Sequence, residues 1–450
     1  MQFYLVTLGC PKNEVISDNV AQLLLEAGHT VVENPSRADF LIVNTCGFIE
    51  SARTESLSVL GDLADEKRHG QRLIAVGCFP QLIGEQLLAD LPAVDGMLGT
   101  RRWMEIDDLI SKVANGPQSE RPALLGEPPS EVASCVQGRI LRGNPLATAY
   151  LSVADGCDAS CAFCAIPRIK GPLRSRPVAD ILDEARYLVE HGAKELIIVA
   201  QDTTAYGHDR GEKDALPDLL RVILRAVPEL SWLRLMYAYP QHITHRLIDT
   251  MAGESRICHY LDLPLQHAHP ETLRRMRRPH DVEKAREVLT DLREAMPDIA
   301  LRTSLIVGYP GETEEEFSTL LNFVEETAFD KVGVFAYSRE MGTAAYDLPG
   351  QISDAEKEER YHRLMTSQQA ISLTCNQAQV GRTLDVLVEG TGDGFSVGRS
   401  YRDAPEIDGL VIFEREAPIG EFVSARVTSA EMYDLGGIWV CRRRYGDRKA

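Results

Sequence analysis

The stretch "DGCDASCAFCAIPRIKG", residues 155–171, carries Cys157, Cys161 and Cys164 within eight positions. Thiols so crowded cannot form a disulfide network, and thiolate is a ligand for soft metals, so zinc and an iron-sulfur cluster are the open choices. Iron-sulfur clusters ordinarily take four thiolates. Three leave one iron with a vacant position, as catalytic zinc sites keep a position for substrate. A structural zinc site of three cysteines and a histidine is the bland alternative, but no histidine lies within twenty residues on either side.

Cys10, Cys46 and Cys78 close the stretches "VTLGC", "VNTC" and "AVGC", each an apolar strand pattern. The carboxyl-end loops of an open parallel sheet converge on one crevice, so cysteines distant in sequence can meet there. Any one of them alone reads as a small core residue. Three at equivalent places of a repeating unit predict a second three-thiolate site. Cys135, Cys258, Cys375 and Cys441 have no partner spacing and read as structural or incidental.

The elements that must position these thiols fall into three groups. In the first, "FYLVTLG", "DFLIVNT" and "RLIAVG" read as strands leading into helices around 17–28, 50–68 and 81–90, a small parallel sheet with covering helices. "ANGPQSERPALLGEPPSE" then loses periodicity and reads as a linker. From about 147 to 379 six strands alternate with helical stretches: "TAYLSVA", "ELIIVAQ", "WLRLMYAY", "YLDLPLQ", "LRTSLIVG" and "KVGVFAYS". Right-handed crossovers would curl them into an open (β/α)6 barrel with its chemistry at the carboxyl ends of the strands. A helix opening at Ser353, with Glu356 as capping-box partner, closes that group. After Gly381, short strands and glycine turns predict an all-β barrel of OB-like size.

Composition narrows the partners. The chain of 450 residues carries a net charge of −19, with 67 acidic against 48 basic residues. Nucleic-acid affinity comes mainly from phosphate neutralisation, so strong nucleic-acid binding is not expected and a basic macromolecule is the better match. The segment 382–440 holds five arginines and no lysine against eleven carboxylates. "CRRRYGDRK" near the C-terminus is a basic exception, read as a solvated tail. With no charged-then-apolar leader and no apolar run long enough to span a bilayer, the protein is expected in the cytoplasm with reduced thiols, away from membranes.

"CDASCAFC", with an aromatic before its last cysteine and a barrel strand before its first, resembles the radical SAM superfamily. Two cysteine triplets, the barrel and the terminal β module together resemble the methylthiotransferases along nearly the whole chain. The resemblance implies residues 1–115 as an N-terminal methylthiotransferase domain with an auxiliary cluster, 116–140 as a linker, 141–379 as the radical SAM domain and 380–450 as a TRAM domain. It implies two [4Fe-4S] clusters, one on Cys10, Cys46 and Cys78 and one on Cys157, Cys161 and Cys164, with S-adenosyl-L-methionine bound at the second. "LGCPKNEVISDN", "NTCGFIESAR", "VGCFPQ", "AQDTTAYG" and "LDLPLQHA" resemble the branch that modifies an aspartate of ribosomal protein S-twelve of the small subunit. The alternative is the branch acting on tRNA adenosines. An electron donor protein is an implied partner, and a monomer is the default expectation. Asp158 and Lys170 depart from the usual pattern beside the radical triplet, where Asn and Arg are common.

Smaller sites carry two readings each. The resemblance places Phe163 near the adenosine; as a plain aromatic it is equally a core residue. Gln201, in "IIVAQD", is a candidate for the methionyl amino group or for a loop cap. "IVGYPGETEEE" ends a strand and opens a helix, contacting a nucleoside or simply turning; it lacks the phosphate-loop pattern. His267 and His269 in "LQHAHP" read as hydrogen-bonded rim histidines rather than metal ligands.

Overall fold

The computed structural model describes residues 1–117, 119–126 and 147–440. Cys135, Cys441 and the basic C-terminal stretch lie outside the described residues.

The first unit is a six-stranded parallel sheet: β1 (Gln2–Thr7), β2 (Thr30–Val31), β3 (Phe40–Thr45), β4 (Arg72–Gly77), β5 (Gly96–Gly99) and β6 (Ala123–Leu124), in the order β2-β1-β3-β4-β5-β6. β3 and β4 are buried almost throughout, as a continuous apolar run at the centre of a parallel sheet requires. β6 lies within the stretch expected to be a linker; the sheet takes up Ala123 and Leu124 beside Met97 and Leu98. The first helix runs Pro11–Glu26 rather than 17–28, because Pro11 starts it directly after Cys10. The helix expected over 81–90 divides into Cys78–Ile83 and Gln86–Asp90 at Gly84.

The second unit contains β7 (Thr148–Ser152), a short ladder of β8 (Ala154–Asp155) with β9 (Arg174–Ser175), β10 (Glu195–Val199), β11 (Trp232–Leu235), β12 (Ile257–Asp262), β13 (Ala300–Val307) and β14 (Lys331–Ala336). β7 and β10 to β14 pair in parallel and in chain order, the strand order of an open (β/α)6 barrel. Helices such as Val178–Glu190, Leu216–Ala226 and Glu314–Thr327 cover it, and their apolar faces join one large core. Thr313 and Glu316 form a capping box at the start of Glu314–Thr327. At Ser353 only half of that device exists: Ser353 accepts from the Glu356 amide, while the Glu356 carboxylate accepts from Arg360 over the next turn.

The third unit is a closed five-stranded barrel of β15 (Thr383–Gly392), β16 (Phe395–Ser400), β17 (Val411–Glu414), β18 (Phe422–Ala430) and β19 (Leu435–Trp439). Its β16–β17 connection reaches into the parallel sheet, where Ala404 and Tyr401 pack with Ile197, Met236 and Tyr260. Arg399 and Arg234 close on the two oxygens of Glu195, each at 2.7 Å, and Arg234 also donates to the Tyr401 carbonyl. This triad is fully buried, and it ties the small barrel to the large one.

Candidate cluster-binding sites

Cys10, Cys46 and Cys78 each follow the carboxyl end of a neighbouring strand, β1, β3 and β4. Gly9 and Gly77 allow the backbone to approach so closely. A Cβ on Gly9 would stand 2.9 Å from the Cys46 sulfur, and one on Gly77 would stand 2.3 Å from Asn44 Oδ1. Both have positive φ, 91° and 105°. Buried polar side chains then tie the three strand ends together. Asn13 donates to the carbonyls of Leu8 (2.9 Å) and Thr45 (3.3 Å), and its Oδ1 lies 3.6 Å from the Cys78 sulfur. Asn44 donates to the Asn13 carbonyl, and Ser56 bridges both backbone groups of Cys46. The sequence reading missed Asn13, Asn44 and Ser56; polar residues inside an apolar strand-and-helix pattern were the available signal.

The second triplet leaves β8 and runs into the short helix Ile166–Lys170. The amides of Ala159 and Ile166 donate to the sulfurs of Cys157 and Cys164, each at 3.4 Å, and Arg278 Nη1 lies 3.8 Å from that of Cys161. Burial pushes Cys157 up to about 11 and Cys164 up to about 12, against these donors. In the first triplet burial raises Cys46 and pushes Cys78 up to about 12, with Lys170 opposing the rise at Cys78.

Thiols so placed need positive charge to become thiolates, and a soft metal supplies it. Thiolate is the donor that iron-sulfur clusters take, and each triplet offers three, so the donor chemistry fits a cluster.

A cavity of ≈460 Å³ opens beside the second triplet, lined by Cys157, Asp158, Asp202, Tyr239, His242 and Arg278 among others. Its size is that of a small-molecule site. His242 Nδ1 lies 2.9 Å from Asp202 Oδ2, and Arg278 stacks 4.1 Å from the centre of the Tyr239 ring. Gln201 is half-buried at the end of β10, and its neighbour Asp202 lines the cavity. Phe163 is half-buried against Ala162, Met276 and Tyr309. Asp158 accepts from the Leu173 amide. His267 is buried, accepts from the His269 amide, and is pushed down to about 3 by burial; His269 caps the helix Pro270–Arg275. Cys258 is buried in β12 and Cys375 is half-buried in the long helix Asp354–Gln377.

The junction of the first two units brings the first triplet's Cys78 against the segment that follows the second triplet. Cys78 packs on Ala165 and Ile169, immediately after Cys164. Arg101 donates to the carbonyls of Ile169 (2.9 Å), Arg168 (2.7 Å) and Pro167 (3.2 Å). Glu340 accepts from Arg53 and from the Glu50 amide, closing the junction on another side.

Sequence comparisons agree with this three-part layout. Residues 2–99 match the family described as Uncharacterized protein family UPF0004, residues 151–324 the Radical SAM superfamily and residues 380–440 the TRAM domain. Among solved structures, the radical S-adenosylmethionine methyltransferase TsrM from Kitasatospora setae superposes with a TM-score of 0.58 over 88% of this chain and 80% of that one, at 15% identity, a likeness of fold. The class is thus a radical SAM enzyme of the methylthiotransferase type. A protein of Chloroflexus aurantiacus is 48% identical over 97% of this chain and 99% of its own, and one of Geobacter sulfurreducens 44% over 96% and 97%. Both are named ribosomal protein uS12 methylthiotransferase RimO, and this chain belongs to that family. The tRNA branch is not favoured.

Proposed function

We propose that the protein transfers a methylthio group to the β-carbon of an aspartate of ribosomal protein uS12. The observation that supports this reading is the packing of Cys78 with Ala165 and Ile169, which brings the first triplet to the segment that follows the second. The β-carbon holds no proton that a side-chain base removes readily, because a carboxylate stabilises an adjacent carbanion poorly, and acid-base help is worth only about 10² to 10⁴. When bound, the radical cluster would pass an electron from the donor protein to S-adenosyl-L-methionine for hydrogen abstraction, and the auxiliary cluster would hold the sulfur that takes its methyl from a second S-adenosyl-L-methionine.

The chain's own residues bind, orient and exclude. Cys157, Cys161 and Cys164 would hold the radical cluster, and Cys10, Cys46 and Cys78 the auxiliary one. The cavity at Asp202 and His242 would take the S-adenosyl-L-methionine, with Gln201 and Phe163 at its margins. Arg101 and Glu340 hold the first unit on the barrel.

The outer barrel fits a cationic substrate. Arg399 and Arg402 are buried in its junction with the parallel sheet, so carboxylates dominate its exposed face. Such a field steers encounter with a basic ribosomal protein. An electron donor protein, a monomeric state and a cytoplasmic location complete the proposal; among the described residues no helix is long and apolar enough to cross a membrane.

Mass spectrometry of the ribosomal proteins from deletion cells restored with wild-type protein or with Cys161→Ala tests it. Wild type should add the methylthio group to uS12 and the variant should add none; an unmodified uS12 in both would refute the reading.

A further inference from the structure

A carboxylate entering the junction leaves water and enters a protein of net charge −19, so it must meet a cation there. Most cations around the junction are already committed. Lys170 Nζ lies 3.4 Å from Asp155 Oδ2, and Arg302 pairs with Asp262 at 2.7 Å and Asp408 at 3.4 Å. Arg278 donates to the Pro264 carbonyl and lies against the Cys161 sulfur. Lys12 differs. It stands in the first turn of the helix that begins after Cys10, half-buried, and its Nζ lies 3.4 Å from the centre of the Tyr237 ring. Among the described residues no carboxylate lies within salt-bridge distance of it.

Tyr237 is itself held in an unusual state. It follows β11 with a φ of 59°, a conformation that non-glycine residues adopt at a cost and that clusters at functional sites. Its amide donates to Asp262 Oδ2 (3.3 Å) and its carbonyl accepts from the Thr203 amide (3.0 Å). This backbone aims the ring across the junction, under the Lys12 ammonium. An aromatic face fixes an ammonium in place without neutralising it. The result is a positioned positive charge, with no carboxylate partner among the described residues, between the first unit and the barrel and close to Cys10.

We infer that Lys12, held on Tyr237, receives the carboxylate of the target aspartate and selects an acidic side chain over a neutral one. The inference rests on the proposed function and adds to it the residue that recognises the reacting group. Bound through its carboxylate, the aspartate is fixed one carbon from the position to be modified, which is the placement that positional catalysis needs.

The test is a coupling cycle on the enzyme with both clusters reconstituted anaerobically, with iron content measured to confirm assembly. Binding is measured for wild type and Lys12→Gln against uS12 and against uS12 carrying asparagine at the modified aspartate. Wild type should prefer the aspartate form by roughly tenfold, as expected for a charged hydrogen bond, and Lys12→Gln should bind both forms alike. Lys12→Arg, which keeps the charge, should restore part of the preference. A Lys12→Gln enzyme that keeps the full preference while wild type modifies uS12 overturns this inference alone. A wild-type enzyme that leaves uS12 unmodified overturns the proposed function, and this inference with it.

Discussion

Lys170 Nζ lies 3.4 Å from Asp155 Oδ2, and it is the lysine side chain, 2% exposed, rather than the 41% exposed carboxylate, that is buried. Lys170 comes from the helix after the second triplet, yet it acts on Cys78 of the first. A buried cation beside a cluster favours the reduced, more negative form. Lys170→Met, similar in length and uncharged, is therefore expected to make the auxiliary cluster harder to reduce by roughly 60 mV, the one-electron equivalent of a tenfold change. A redox titration followed by electron paramagnetic resonance measures this. Equal midpoints in the two proteins would remove Lys170 from the electrostatics of the site.

Gly77 separates the two clusters experimentally. A Cβ there would meet Asn44 Oδ1 at 2.3 Å and the Thr45 carbonyl at 2.7 Å, on a backbone of φ 105°. Gly77→Ala should displace Cys78 and cost the auxiliary cluster while the barrel triplet, built on other strands, keeps its own. Iron analysis should give about four irons per chain instead of about eight. Reductive cleavage of S-adenosyl-L-methionine should persist and uS12 methylthiolation should vanish. A full complement of iron in Gly77→Ala would show that the strand end tolerates the shift.

The strand-end placement of Cys10, Cys46 and Cys78 was legible in the sequence, because each closes an apolar run of a repeating unit. The six barrel strands were legible for a related reason: runs such as Leu196–Val199 are apolar without alternation, the mark of a strand buried on both faces. The start of the first helix was not, since Asn13, Ser17 and Asn19 interrupt its apolar periodicity and are nonetheless buried. The partners of Asn13 and Ser17 are strand ends and a cysteine that local sequence cannot reveal. Lys12, Arg101 and Asp202 were passed over likewise. Each acquires its role from a contact with a distant element: Tyr237, the carbonyls after Cys164, and His242.

Glu195 gives the fold a pH signature. Burial alone would raise its carboxyl, but Arg234 and Arg399 outweigh burial and bring it down to about 2, from an ordinary 4.5. A lowered folded-state value means stability that is fully present above pH 4.5 and is lost as pH falls toward 2. The gap corresponds to about 3 kcal/mol. Glu195→Gln should destabilise the protein by about 3 to 5 kcal/mol at neutral pH, because it leaves two buried guanidinium groups poorly matched. Thermal unfolding of both proteins between pH 7 and 3 should show the difference narrowing only below pH 4.5. A constant difference across that range would assign the loss to packing.

Arg101 tests whether the junction must be rigid for transfer to succeed. Its guanidinium spans the carbonyls of Pro167, Arg168 and Ile169 at the C-terminal end of the helix that follows Cys164, where a cation satisfies acceptors and opposes the helix dipole. Its hydrogen bonds go to these carbonyls rather than to a cysteine, so Arg101→Ala should leave iron content intact. What it should lose is the distance between the sites. A misplacement of about 1 Å can cost on the order of a hundredfold in a positioned reaction. The expected result is uncoupling: deoxyadenosine still forms, while methylthiolated uS12 per deoxyadenosine falls about tenfold or more, and Arg101→Lys recovers part of the loss by restoring one donor. If Arg101→Ala lowered both products in equal proportion, its effect would lie in forming the radical site, and rigid apposition of the two triplets would not be what couples them.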